Sequence, residues 1–251
     1  MSEKRITTDD KKAYFFQSRE ELEEAARTIS QRAEEKYQHS AYLYFIARFM
    51  VSLYESTISK IPIQVWNEYR SSIDHHMRYL TQVDQGNIKQ IQRMEGHLQR
   101  AILDVCKLYT HRIIDGLEAR VEKDSIEILR MVDSGRFYEA LRTGIDDLNE
   151  VFATTKTHDC DLGNEREVDD SIVGKYLDVS FMAWQLTLIY RRARHDIEVS
   201  AATKTNIQAE TTAVIRSEEE PLYKKMFEHI AGHAVYYGLA GGIGWLIGTI
   251  F

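Results

Sequence analysis

The sequence predicts an all-α protein: an antiparallel helical bundle with long coiled-coil-like helices, followed by a hydrophobic C-terminal helix that we expect to be transmembrane. Proline occurs only at Pro62 and Pro221. Because proline interrupts helix interiors, the interval between the two can hold long helices. Apolar residues recur at every third or fourth position along most of the chain, which is typical of helices and not of strands. The last 18 residues, 234–251, carry no charge.

The composition bounds the class of protein. The chain has 251 residues, 43% of them hydrophobic and 28% charged, which is typical of a folded chain and not of a disordered one. The net charge of −7 and the lack of a long basic run exclude a general attraction to nucleic acid. There are only two cysteines, which indicates a reducing compartment. Phosphate-binding and nucleophile motifs are missing, so we expect no cofactor and no catalytic residues.

We predict four segments along the chain. Residues 1–17 are expected to form a flexible arm, 18–199 the helical bundle, 200–221 a polar connector that is either a helix or a linker, and 222–251 the C-terminal membrane-inserting helix. The bundle begins at Ser18, whose hydroxyl is a suitable N-cap before the acidic first turn of a helix over 19–37.

Two further helices are predicted before the first turn signal. An aromatic helix over 40–59 ends at Pro62, and a third helix spans 63–82. The third helix has one apolar stripe at helical spacing, which we expect to face the core. The stripe consists of Trp66, Tyr69, Ile73, Met77 and Leu80. The adjacent His75 and His76 are expected to face solvent, because neighbouring residues of a helix point in different directions.

The longest helix is predicted over 91–132, on a seam of apolar residues that steps by three and four. The seam is formed by Ile91, Met94, Leu98, Ile102, Val105 and Leu108. Cys106 lies beside it and is expected to be a small buried hydrophobe. Asp133, Ser134 and Gly135 stop the helix. A fifth helix covers 137–152, residues 154–170 are predicted to be a loop, and a sixth helix begins near Ser171.

The C-terminal run has the length of a membrane helix, and its bulky and small residues lie on opposite faces. Eighteen residues make about 27 Å of helix, close to the roughly 30 Å hydrocarbon core of a bilayer. Leucine and isoleucine fall on one side of this helix and small residues on the other, at a spacing that lets helix backbones approach in lipid. The predicted membrane and oligomerisation residues are Ala234, Gly238, Gly241, Gly242, Gly244, Trp245 and Gly248.

The flanking charges predict the orientation. Lys224 and Lys225 precede the run and no basic residue follows it, which places the N-terminal bundle in the cytoplasm and the last helix in the membrane. The expected partners are a lipid bilayer, further copies of the chain and a protein partner of the bundle.

Two arrangements resemble metal sites without completing one. His229 and His233 stand four residues apart but lack a third ligand at matching spacing. The acidic residues of the predicted loop only roughly match a calcium-binding loop, whose glycine position is occupied here by Asn164. We predict no metal.

The sequence therefore predicts a membrane-associated, non-enzymatic helical protein. Its glycine-faced C-terminal helix would insert into a bilayer and self-associate, as in a membrane-permeabilising effector. The alternative is a soluble or anchored helical scaffold or adaptor whose tail is buried in a partner.

Overall fold

A computed structural model describes residues 16–60, 62–81, 86–162 and 170–248, and their side chains as far as residue 212 except at 161, 162 and 170. All regular structure within these ranges is helical, which confirms the all-α class. The α-helices are α1 (Arg19–Ser30), α2 (Gln38–Ile58), α3 (Ile63–Leu80), α4 (Ile88–Asp124), α5 (Ile126–Met131), α6 (Arg136–Leu162) and α7 (Asp170–Gly248). Short 3-10 turns lie at Glu35–Tyr37 and Val132–Gly135.

The start of the bundle is as predicted, but its first helix is shorter. The Ser18 hydroxyl accepts a hydrogen bond from the backbone N–H of Glu21, which confirms the N-cap. Helix α1 ends at Ser30, whereas the sequence predicted 37. Of the predicted arm, residues 1–15 lie outside the described ranges. Phe16 packs edge-on against Phe49 of α2, with ring centroids 5.1 Å apart.

Helix α4 lies against α2, α3 and α6 and buries five of the six residues of the predicted seam, with Leu108 half-buried. Ile91, Leu98, Ile102 and Val105 are almost completely buried, as is the thiol of Cys106. Helix α2 packs on α4 and has a buried face of its own, formed by Leu43, Ile46, Met50 and Leu53. The predicted seam of α4 is thus part of the core.

The end of the longest helix differs from the prediction, whereas the predicted stop after it is correct. Helix α4 stops at Asp124 because Ser125 adopts φ 61° and ψ 146°, so the predicted continuation to 132 is wrong. The predicted stop at Asp133, Ser134 and Gly135 is confirmed, since all three have positive φ.

Helix α6 runs through the first half of the predicted loop over 154–170, so the prediction of a loop there is wrong. It continues to Leu162, and 163–169 lie outside the described ranges. The extra turns are anchored by Asp159, whose carboxylate pairs with Lys107 of α4 at 2.6 Å and accepts a hydrogen bond from the hydroxyl of Tyr176 at 3.2 Å. These long-range contacts explain why a segment without apolar periodicity is helical.

The chain divides into two compact units, 1–195 and 196–251. The N-terminal turns of α7 contribute Tyr176, Leu177 and Phe181 to the core of the first unit. The predicted connector, 200–221, lies within α7. Across the described ranges, none of the helices combines the length and apolar character that a membrane span needs. The predicted run over 234–251 extends to residues 249–251, which lie outside those ranges.

Candidate functional site

The apolar stripe of α3 points away from the core, so the prediction that it is buried is wrong. Trp66 is 59% exposed, Ile73 62%, and both Met77 and Leu80 51%, with Tyr69 alone of the predicted set half-buried. Ile63, at the first position of the helix, is 65% exposed and extends the same stripe. Most soluble helices bury such a face, and a contiguous exposed apolar patch is typical of an interaction surface.

The opposite face of α3 explains this orientation. Val65 and Ser72 are buried against α4, and their small side chains allow the two helices to pack closely. Glu68 lies on the same inner face and accepts hydrogen bonds from Nδ1 of His97 at 2.7 Å and from Nε of Arg100 at 3.1 Å. Helix α3 is therefore held to the bundle by a face that is largely small and polar.

The histidines of α3 belong to this inner side, which corrects the prediction that they face solvent. His75 is half-buried, its Nδ1 lies 2.7 Å from Oε1 of Gln90, and its ring stacks on that of His97 at 5.1 Å. His76 is also half-buried, and its Nδ1 has no hydrogen-bond partner among the described residues. His75 thus adds to the contact between α3 and α4, whereas the His76 ring meets that of Tyr37.

The exposed residues of α3 have the spacing of a coiled-coil seam. Ile63, Trp66, Arg70, Ile73, Met77 and Leu80 follow one another at intervals of three and four residues. We call these six residues the outer stripe. Five are apolar, and only Arg70 is charged. Such a stripe is the pattern by which one helix packs along another.

An aromatic groove adjoins the outer stripe between α2, α3 and α4. It has a volume of about 310 Å³ and is lined mainly by aromatic and apolar side chains. Tyr44 of α2 meets Tyr69 edge-on, with ring centroids 6.3 Å apart, and Tyr37 meets His76 in the same way at 5.5 Å. Burial raises the pKa of the Tyr69 hydroxyl well above its ordinary value. Ile73 belongs to both the groove and the outer stripe, so the two form one continuous apolar surface.

A polar cluster elsewhere in the first unit has a structural role. Lys107, Asp159 and Tyr176 connect α4, α6 and α7, and Nζ of Lys107 also lies 5.0 Å above the ring of Tyr176. Asp104, one helical turn before Lys107, has a pKa raised by desolvation. The described residues contain no group of three or more His, Cys, Asp or Glu side chains that could hold a metal ion.

The site residues predicted from the C-terminal run are described only as backbone. Positions 234–248 belong to α7, and their side chains lie outside the described set. The predicted glycine face therefore stays a prediction, and so does the expectation that His229 and His233 hold no metal. The outer stripe was missed as a site even though its spacing was recognised, because spacing reveals an apolar face but not which side of the helix is covered.

No protein-family model, curated protein or solved structure matches this chain.

Proposed function

We propose that this chain is a membrane-associated, non-enzymatic helical protein whose C-terminal helix inserts into a bilayer and self-associates as a permeabilising effector. The observation that carries the proposal is the charge-free run over 234–251. Its length matches the hydrocarbon core of a bilayer, and a run this long without charge is costly to expose to water. Residues 249–251 complete the run and lie outside the described ranges.

The composition of the run supports self-association in lipid. Gly238 and Gly242 are four residues apart, as are Gly244 and Gly248. In a bilayer, small residues at this spacing let two backbones come close enough for packing and weak contacts to hold them. The basic pair Lys224 and Lys225 precedes the run, which supports a bundle on the cytoplasmic side of the membrane.

Fractionation of cells that express the full chain tests insertion. We expect the protein to pellet with membranes and to resist carbonate extraction. The double variant Ile243→Lys/Ile247→Lys should move to the soluble fraction, because each lysine at the centre of a span costs roughly 2.5–3.5 kcal/mol. Ile207→Lys is the matched control, since Ile207 lies on α7 before the run and is 54% exposed. A wild-type chain recovered in the soluble fraction would overturn the proposal.

Leakage of dye from liposomes tests the effector role. Gly238→Ile and Gly242→Ile should block close helix approach while preserving insertion, because isoleucine is larger and more hydrophobic than glycine. We expect both variants to lose crosslinked oligomers and leakage together, and Leu246→Ala to keep both. An inserted wild-type chain that causes no leakage would leave an anchored protein and not a permeabilising one.

A second candidate is a helical scaffold or adaptor whose tail is buried in a partner. The exposed outer stripe of α3 favours it, because an apolar surface of this kind is typical of protein–protein contact. Recovery of the full chain from the soluble fraction as a stable complex would support this candidate over insertion.

A further inference from the structure

We propose that the outer stripe of α3 is a self-complementary interface that packs antiparallel against the same helix of a second copy. This contact is separate from the C-terminal helix and does not rest on membrane insertion. Three features of α3 support it. They are the spacing of the exposed residues, the position of Arg70 as the single charge among them, and the acidic Asp74 one helical turn after Arg70.

The spacing comes first. In an antiparallel helix pair, each a position of the heptad repeat in one helix packs against a d position in the other. In the register that uses the whole stripe, Ile63 faces Leu80 of the second copy and Trp66 faces its Met77. All four side chains are more than half exposed in the single chain, so pairing removes them from water. Thioether sulfur against an aromatic ring is also a favourable contact.

The charges select the direction of pairing. In the same antiparallel register Arg70 faces Ile73 of the second copy. Asp74 of that copy lies on the same side of the seam as Arg70, and the two residues differ by only about 1.5 Å in position along the helix axis. By symmetry the contact occurs twice. A parallel pairing in register would instead place Arg70 against Arg70 of the second copy across the seam, which is unfavourable. The stripe is thus complementary to itself only when the helices run in opposite directions.

The polar inner face explains why a second copy is the partner and not another part of the bundle. Glu68 of α3 accepts hydrogen bonds from Nδ1 of His97 at 2.7 Å and from Nε of Arg100 at 3.1 Å, and both donors lie on α4. Turning α3 to bury its outer stripe would break these bonds and expose Val65. An 18-residue helix pair also buries less area than a standard interface, so a weak, readily reversible dimer is expected.

Crosslinking of the full chain in cells tests the register. In a Cys160→Ser background, one tagged chain carries Ile63→Cys and a second, differently tagged chain carries Leu80→Cys. With a short bis-maleimide we expect the mixed product, and little of either self-crosslinked product, because only antiparallel pairing brings the two positions together. Val151→Cys, exposed on α6, replaces Leu80→Cys in the control and should give no product with Ile63→Cys. Self-crosslinked products as abundant as the mixed one would overturn the antiparallel register, and no product at all would overturn the interface.

A charge exchange tests the role of Arg70 and Asp74. Arg70→Glu alone and Asp74→Arg alone should each lower the mixed product about tenfold, since each places like charges together twice in the dimer. The double variant should restore the product. Asp74 also pairs with Arg78 at 2.9 Å, but both side chains are more than half exposed, so folding should be unaffected and circular dichroism should confirm it. Failure of the double variant to restore crosslinking would refute the charge pairing.

Discussion

Replacing Ser125 by glycine should stabilise the bundle, although it places the most flexible residue between two helices. Ser125 separates α4 from α5 at φ 61° and ψ 146°, a region that side chains with a Cβ rarely adopt. Its Oγ is buried and has no hydrogen-bond partner in the described part of the chain, and it does not cap α5. Ser125 therefore destabilises the fold through backbone strain and through a buried hydroxyl that lacks a hydrogen bond.

The expected gain follows from these two costs. Relief of the backbone strain should raise the free energy of unfolding by about 1–3 kcal/mol. Glycine should lower it by about 0.5–1 kcal/mol, because the unfolded chain gains conformational entropy. Removing a buried hydroxyl without a partner adds about 1 kcal/mol. A net gain of about 2 kcal/mol would raise the melting temperature by roughly 4–8 °C for a chain of this size.

Urea denaturation of the full chain, followed by circular dichroism, measures the gain and separates its two parts. Ser125→Ala removes the hydroxyl but keeps the Cβ, so it should give only the smaller share of about 1 kcal/mol. Ser52→Gly, at an exposed position within α2, is the matched control and should lose about 0.5 kcal/mol. If Ser125→Gly were no more stable than the wild type, the strain assigned to this junction would be refuted.

Two further predictions concern the bundle. Cys160 is exposed whereas Cys106 is buried, and burial raises the pKa of the Cys106 thiol to about 12. We therefore expect a maleimide at about pH 8 to modify only Cys160 in the native chain and both thiols after denaturation. In the Cys160→Ser variant, mass spectrometry should detect no maleimide on the native protein. Glu68→Gln keeps the shape of the side chain but weakens its bonds to His97 and Arg100, so it should cost about 1–2 kcal/mol in urea denaturation. An unchanged midpoint would show that these bonds do not hold α3 to α4.

The sequence by itself determined the helical class and those boundaries that depend on local chemistry. Ser18 caps α1 because its hydroxyl reaches an N–H three residues away. Asp133, Ser134 and Gly135 stop a helix because their backbone leaves the helical region within three residues. The seam of α4 could also be predicted, because its apolar side chains recur at intervals of three and four residues.

The tertiary structure decided which face of each helix is covered and where helices without a strong local signal end. Helix α3 has two stripes with the same spacing, one through Val65, Ser72 and the other through Trp66, Ile73. Hydrophobicity alone favours burying the second, yet the fit of small residues and a charged network against α4 buries the first. Asp159 likewise makes its helix-stabilising contacts with Lys107 and Tyr176, which are distant in sequence. Periodicity is a property of one helix, whereas burial is a property of its neighbours, and only the packed chain specifies those.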